Sequence, residues 1–451
     1  MNKLLLLTVL VLAVGAAQAQ TTLAECVHIA LAHNPGLKAA ESEAGMADEE
    51  VRQADTALLP ALDFSGSYRH QSAIPELSVP PITVPFWPDP ISVLSDGMTL
   101  GTKDVYDFRM TLTQPLFTGF RLGNRKAAAQ AAASGRYRDL ERQRADLIYK
   151  VEAAYAAVLK TRKYIEIAQS ARDQVARHLQ DAETLVAQGL ARRDELLRVE
   201  VKRSEAELAL VRAENGCEMA RAALENLLGQ SLPAELALAD MPILAVMPVQ
   251  TEAGADLQVA LALAAQHRPE LATVTEAKAA GEAAKKIARG GRWPSVAAFG
   301  TYAYGKPGLD FTKKEAMDYW LVGVGAEWNL WNWGKTSSQI QQAELKLRSI
   351  AENERQLSDA IQLDVKQAHL RRTEMAKSLA VAAHMVRQAD ASYEVMERQY
   401  KQGVASHSDY FDAQSELTRA KLIHAEALIE EGLAQANWRR AVGLGEQAYS
   451  H

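Results

Sequence analysis

The chain runs through the same succession of segments twice. The stretch HNPGL beginning at His33 returns as HRPEL beginning at His267, 234 residues later, and Pro60/Pro294 and Tyr68/Tyr302 keep that offset. Further on the offset becomes 214, so that Leu116 matches Leu330, Gly189 matches Gly403 and Gly229 matches Gly443. The first copy therefore carries 20 extra residues between the positions of Tyr68 and Leu116. The proline-rich stretch 74–90 accounts for most of them, and its proline density rules out a helix or a central strand, so a long loop is predicted there. A duplication on this scale constrains the fold more than any composition does, because each element must pack twice in like surroundings.

Each copy reads as helix, strand hairpin and helical hairpin. A helix is predicted over 22–59 and again over 255–292, ended by Pro60 and Pro294, which lack an N–H and disfavour helix in the preceding residue. Strands follow at 62–69 and 105–117 around loop 70–104, and at 296–304 and 319–330. Trp320, Val322, Val324, Ala326, Trp328 and Leu330 share one face of the last of these, opposite Leu321, Gly323, Gly325, Glu327 and Asn329. Phe108, Met110, Leu112 and Leu116 likewise oppose Arg109, Thr111 and Thr113. Helical hairpins then occupy 123–229 and 337–443, turning at Gly189 and Gly403. The repeats span 20–231 and 255–445, with a linker at 232–254 and a tail at 446–451.

The long arms of the hairpins carry apolar residues at heptad spacing, as in Leu140, Leu147/Val151, Ala154/Val158, Val175/Leu179 and, in the second copy, Ile361/Val365, Ala389/Tyr393 and Met396/Tyr400. Such helices need helical partners along their whole length. The arm 123–188 would be ~100 Å long and the returning arm 190–228 only ~58 Å. The helix at 22–59, ~57 Å long, stacked end to end with the returning arm would match the long one.

Other features bound compartment and class. Residues 1–19 have Lys3, an apolar run from Leu4 to Val14 and a small-x-small end at Ala17 and Ala19, the pattern of a secretory signal peptide. No later stretch reaches the ~20 apolar residues of a membrane helix. Glu25 before Cys26 argues against a lipid anchor. Cys26 and Cys217 are the only cysteines, and in an oxidising compartment they either pair or remain isolated buried thiols. The net charge of −6 gives no reason to expect nucleic acid as a partner. The predicted strands, 8 to 13 residues long, suit tilted membrane strands of ~9–11 residues. Only closed barrels put strands across lipid, and four strands cannot close alone, whereas three chains would supply twelve. The other reading of these hairpins is a cap on a soluble helical domain.

The leader, the duplicated plan, and the stretches HNPGLKAA, LLPALDFSGSY and TLTQPLFTGFRLGNR, with the paired Gly-Leu and Gly-Val turns, resemble the TolC-like outer membrane efflux family over essentially the whole mature chain. The resemblance implies a mainly α fold with a small β part. Four strands per chain would enter a 12-stranded trimeric β-barrel continuous with a long α-helical barrel that extends into the periplasm. It implies a homotrimer serving as the passive outer-membrane exit duct of a tripartite pump or type I secretion system. The partners would be a periplasmic adaptor, an inner-membrane transporter and outer-membrane lipid. The alternative is a periplasmic coiled-coil adaptor or spacer without a pore.

By the same resemblance Gly189, Leu190, Gly403 and Val404 match adaptor-docking tips, against the plain reading of a C-cap glycine with a locally packed aliphatic. Asp409 and Asp412, three apart and so on one helix face, match the aspartates of the periplasmic gate; in a trimer they would form carboxylate rings that favour cations. Glu195 and Tyr400 match the polar links that hold that gate shut. Solvated charge near a helix end is the plain reading of all four. Ala405 stands where the family has a gate arginine, and Arg192 and Arg193 in the first turn are the available substitutes. Nothing points to an enzyme: the histidines and cysteines lack metal-ligand spacing, no cofactor is implied, and GKTSS at Gly334 lacks the upstream glycine of a phosphate loop.

Overall fold

The computed structural model describes residues 22–77, 82–84, 91–93, 98–99, 101–189, 192–231, 257–310, 313–402 and 404–449. The predicted leader, the linker at 232–254, Leu190 and Gly403 lie outside them. The first copy contains α1 (Leu23–His33), α2 (Pro35–Thr56), β1 (Ala61–His70), four short strands, β6 (Asp104–Phe117), α3 (Arg121–Ala187) and α4 (Arg193–Leu228). The short strands are β2 (Glu76–Leu77), β3 (Ile82–Val84), β4 (Ile91–Val93) and β5 (Met98–Thr99). The second copy contains α5 (Leu257–His267), α6 (Pro269–Gly290), β7 (Ser295–Lys306), β8 (Met317–Glu327), α7 (Lys335–Lys401) and α8 (His407–Ala441), followed by a 3-10 turn, Gln447–Tyr449. The described residues fall into two compact units. One gathers those of Met1–Glu43, Tyr137–Thr273 and Glu354–His451; the other those of Ala44–Arg136 and Val274–Asn353.

The second unit holds a four-stranded antiparallel sheet in the order β1-β6-β7-β8. Register places Phe64 opposite Met110, Met110 opposite Tyr302 and Tyr302 opposite Trp320, so the alternation of four strands lines up into one apolar face. That face is exposed: Phe64 keeps 69%, Trp320 73% and Val322 72% of its surface. Thr111 and Thr301 share a hydroxyl contact at 3.2 Å on the other face, where Arg109 pairs with Asp107 at 2.8 Å. β8 ends at Glu327, three residues earlier than its alternation predicts, because its partner β7 begins at Ser295, opposite Glu327. The proline-rich stretch is not unbroken loop, since β2 pairs with β5 and β3 with β4 as two local ribbons.

The first unit is helical, and its main departure from the sequence reading is a break in each first helix. The segment predicted as one helix over 22–59 is two, α1 and α2, divided at Asn34; α5 and α6 divide likewise at Arg268. Pro35 and Pro269 occupy the first helical position, where no N–H is needed, and force the preceding residue out of the helix. Asn34 repairs the break itself: its Oδ1 accepts from the Leu37 N–H at 3.0 Å, and its Nδ2 donates to the Leu227 carbonyl at 2.8 Å. α4 ends against this joint. Gly229, at φ +70°, sits so close that a Cβ would lie 2.6 Å from the His33 carbonyl oxygen. The second copy repeats the joint, with Gly443 at φ +82° and a Cβ that would meet the His267 carbonyl at 2.7 Å.

Around the second joint the chemistry differs. Arg268, buried, donates to Glu270 at 3.1 Å and to Asp364. Asp364 also pairs with Arg440 at 3.3 Å. A small apolar core of Ala260, Ala264, Val365, Ala368, Trp438 and Val442 packs alongside. Next to it a buried triad fastens the tail, since Glu152 accepts from Arg439 at 2.9 Å and from the Tyr449 hydroxyl at 2.7 Å. Burial and the Glu152 carboxylate push the Tyr449 hydroxyl well above its usual range. Cys26 and Cys217 are both free thiols; Cys26 is fully buried in α1, and burial, then Glu25, push it up to about 11.

Candidate functional site

The two helix reversals, both in the helical unit, hold the residues singled out by sequence as gate or docking positions, apart from Leu190 and Gly403, which lie outside the described residues. In the first, Gly189 closes α3 with its N–H on the Val186 carbonyl at 3.0 Å and takes φ +71°. Nothing lies within 4 Å of where its Cβ would be, so a side chain there would enter open space. Arg192 occupies the N-cap of α4 but makes no side-chain cap; it pairs with Asp194 at 2.9 Å instead.

The second reversal is more fully bonded. The Val404 and Ala405 N–H groups both donate to the Gln399 carbonyl, at 2.9 and 3.3 Å, and the Val404 side chain stands 73% exposed. Ser406 then caps α8 in a reciprocal box: its hydroxyl accepts from the Asp409 N–H at 3.3 Å, and the Asp409 carboxylate accepts from the Ser406 N–H at 3.1 Å and hydroxyl at 2.7 Å. These bonds, the hydroxyl's first, hold the Asp409 carboxyl below the usual carboxylate range. Asp409 and Asp412 are both exposed, three residues apart on one helix face.

A groove of about 610 Å³ between the starts of α4 and α8 brings Glu195 and Asp412 to common walls, with Arg198, Ser406 and Phe411. Asp409 is not among the groove's walls. Tyr400 is half-buried, and its hydroxyl is pushed up to about 12 by burial, then by the Asp181 and Glu195 carboxylates. Thus Glu195 and Tyr400 share an electrostatic neighbourhood, Asp412 joins Glu195 at the groove, and Asp409 is engaged by its own cap.

Sequence reasoning missed the centre of this arrangement. His178 of α3 is buried among three aromatic rings, with centroid distances of 5.0 Å to Tyr400, 4.9 Å to Tyr410 and 4.8 Å to Phe411. The Tyr410 and Tyr393 hydroxyls are 3.0 Å apart, and burial raises the Tyr410 hydroxyl first, then that bond. Val175, Leu179 and Val199 close the cluster, which therefore joins α3 and α4 to α7 and α8. A step of 214 back from Tyr400, Tyr410 and Phe411 lands on Val186, Leu196 and Leu197, so the first reversal has no such cluster. The signal was present as two adjacent aromatics, Tyr410-Phe411, just inside a capped helix start, opposite the Tyr393/Tyr400 row.

The description "Outer membrane efflux protein" matches residues 26–230 and 260–444, one stretch for each copy of the repeat. The chain belongs to the outer membrane efflux protein family. No curated relative matches the sequence. Among solved structures the fold is similar to the outer-membrane channel OprN, with 19% identity, 93% of this chain and 89% of that one covered, and a TM-score of 0.75. It is similar to the Campylobacter jejuni CmeC outer membrane channel, with 16% identity, coverage of 95% and 87%, and a TM-score of 0.75. The open state of the Neisseria gonorrhoeae MtrE outer membrane channel aligns with 20% identity, coverage of 94% and 89%, and a TM-score of 0.73. The outer membrane efflux protein described here is placed by its family in the outer membrane, and its fold is similar to that of solved outer-membrane channels. Among the described residues no helix is long and apolar enough to cross a membrane.

Proposed function

We propose that three copies of this outer membrane efflux protein join their sheets into a twelve-stranded barrel and form a passive exit duct. The observation that carries this reading is a four-stranded sheet with one exposed apolar face and two open edges. β1 and β8 have no further strand partner among the described residues, and an unpaired edge cannot be left in lipid. The main strands, 10 to 14 residues long, reach across a hydrocarbon layer that needs ~9–11 tilted residues. The helical hairpins extend into the periplasm, and their reversals meet a periplasmic adaptor through Gly189, Leu190, Gly403 and Val404. The adaptor joins the duct to an inner-membrane transporter, in a tripartite pump or a type I secretion system. The exposure of Val404 and the open space around Gly189 support this docking.

Asp409, Asp412, Glu195 and Tyr400 form the periplasmic gate. Ala405 offers no guanidinium and Arg192 is paired within its own turn, which leaves Arg193 and the aromatic cluster around His178, which ties the two hairpins together, to support closure. Planar-bilayer recording of detergent-extracted protein tests the proposal. The wild type should conduct weakly, with block by divalent cations, and an Asp409→Ala/Asp412→Ala variant should conduct more and be blocked less. His178→Ala should raise conductance with the oligomer intact. Silence from the wild type and the gate variant, in a protein that stays in solution without detergent, would overturn the channel reading.

A further inference from the structure

The aromatic cluster that joins the two hairpins contains a group that can change charge near neutrality. His178 keeps 4% of its surface, and its ring centroid lies 4.8–5.0 Å from those of Tyr400, Tyr410 and Phe411. Burial, first among the causes, pushes the Tyr400 hydroxyl up to about 12 and the Tyr410 hydroxyl higher still, so both phenols keep their protons at neutrality and in acid. Imidazole, by contrast, is the side chain whose proton comes and goes between about pH 5 and 8.

The position of the ring gives that proton leverage. α3 and α8 run antiparallel, side by side. Glu152 accepts from Arg439 at 2.9 Å, Lys160 pairs with Glu426 at 2.6 Å, and Gln414 donates to Gln174 at 3.0 Å. His178, against Tyr410 and Phe411, is the next tie in this series and the one nearest the reversals.

Charged groups stand around the cluster on every element packed into it. Arg177 and Asp181 belong to α3, Glu195 and Arg198 to α4, Glu397 to α7 and Asp412 to α8. Asp181 and Glu195 act through space on Tyr400, Arg177 and Glu397 act on Tyr410, and Arg198 and Asp412 line the groove beside Phe411. Four carboxylates outnumber two guanidiniums, and aromatic faces attract a cation by about 0.5–2 kcal/mol. Both favour a charged ring, but taking an ion out of water costs several kcal/mol even after relaxation. At 4% exposure the cost of dehydration is the larger. A charged imidazole therefore fits poorly inside the cluster and better at its edge. Asp181, exposed and one turn along the same helix, offers a counter-charge there.

We propose that His178 is a proton-operated latch: uncharged, it holds the start of α8 against α3, and protonated, it turns toward Asp181 and lets α8 move away. The helix moves as a body, with its own Ser406/Asp409 cap intact. The latch rests on the gate reading and names the signal that operates the gate, acid in the periplasm. The uncharged ring belongs to the held state, so the hold is full at and above neutrality and is lost as pH falls. One proton per chain changes the balance by at most about tenfold per pH unit.

The test records full-length protein in planar bilayers at pH 7.5 and 5.5. Wild-type conductance should rise about fivefold in acid. His178→Gln and His178→Phe, which cannot take up the proton, should show no rise, while His384→Gln, exposed on α7, should keep it. A full rise in both His178 variants, or its loss in His384→Gln, overturns the latch. A second readout does not depend on conduction. Nitroxides at Glu183→Cys on α3 and Glu416→Cys on α8, in a Cys217→Ser background and diluted among unlabelled chains, should move apart in acid, and should stay in place when His178→Gln is added. No movement with wild-type His178 overturns the latch whatever the conductance does. Movement that needs His178, in a duct that stays silent at both pH values, supports the latch and overturns the gate reading instead.

Discussion

The two copies of the repeat close at the same kind of joint and load it with different chemistry. In the first, Asn34 bridges the helix break with two neutral hydrogen bonds, while in the second Arg268 does so through Glu270 and Asp364. The reversals diverge in the same sense: the first is uncapped and opens to solvent at Gly189, the second is capped by Ser406 and Asp409 and backed by aromatic rings. Duplication therefore preserved the backbone, where a joint tolerates only one geometry, and left side chains free to specialise. The second copy became the one that binds the helices together.

The sharpest way to break this comparison is to remove each bridge in turn. Arg268→Ala takes its arginine from Glu270 and leaves Asp364 with Arg440 alone, and should cost about 3 kcal/mol of unfolding free energy. Asn34→Ala removes a neutral cap and should cost only ~1–2 kcal/mol. Equal losses in chemical denaturation would show that the charged joint is no stronger a tie than the neutral one. A smaller effect separates the joints from the reversals. Gly229→Ala and Gly443→Ala meet both the left-handed penalty of ~1–2 kcal/mol and a carbonyl in the way, whereas Gly189→Ala meets the penalty alone. Thermal melts should therefore rank Gly189→Ala as the mildest of the three.

The difference between the reversals is finer still. Ser406→Ala should lower local stability by ~1 kcal/mol, read as faster hydrogen exchange in the first turn of α8, while Arg192→Ala should leave α4 unchanged because its side chain caps nothing. The least effect is one of pH. The Asp409 carboxyl is held below its unfolded value, so its capping contribution is fully present above the ordinary carboxylate range and is lost as pH falls through the lowered folded value. Exchange protection at the start of α8 should hold from pH 8 to about 5 and weaken below ~4, and in Ser406→Ala that dependence should flatten. Protection independent of pH in the wild type would take Asp409 out of the cap.

The sequence alone was enough to set the repeat and its order of elements, because proline and glycine punctuate both copies at matching offsets and the strands alternate between apolar and polar residues. That Ala405 stands where the resemblance implies a gate arginine is also read directly. What the sequence passed over follows from distances it does not contain. The helix break at Asn34 and Arg268 is signalled by Pro35 and Pro269, but a proline is also at home in the first turn of a helix, so its presence alone does not decide between a break and a start. That β8 stops at Glu327 depends on where β7 begins, a matter of register. His178 is 222 residues from Tyr400 along the chain and 5.0 Å from it in space, so only packing could bring them together. That Asp409 spends its carboxylate on Ser406, while Asp412 turns to the groove with Glu195, was likewise settled by tertiary structure. An i, i+3 spacing fixes a shared face, and the neighbours on that face decide what each carboxylate does.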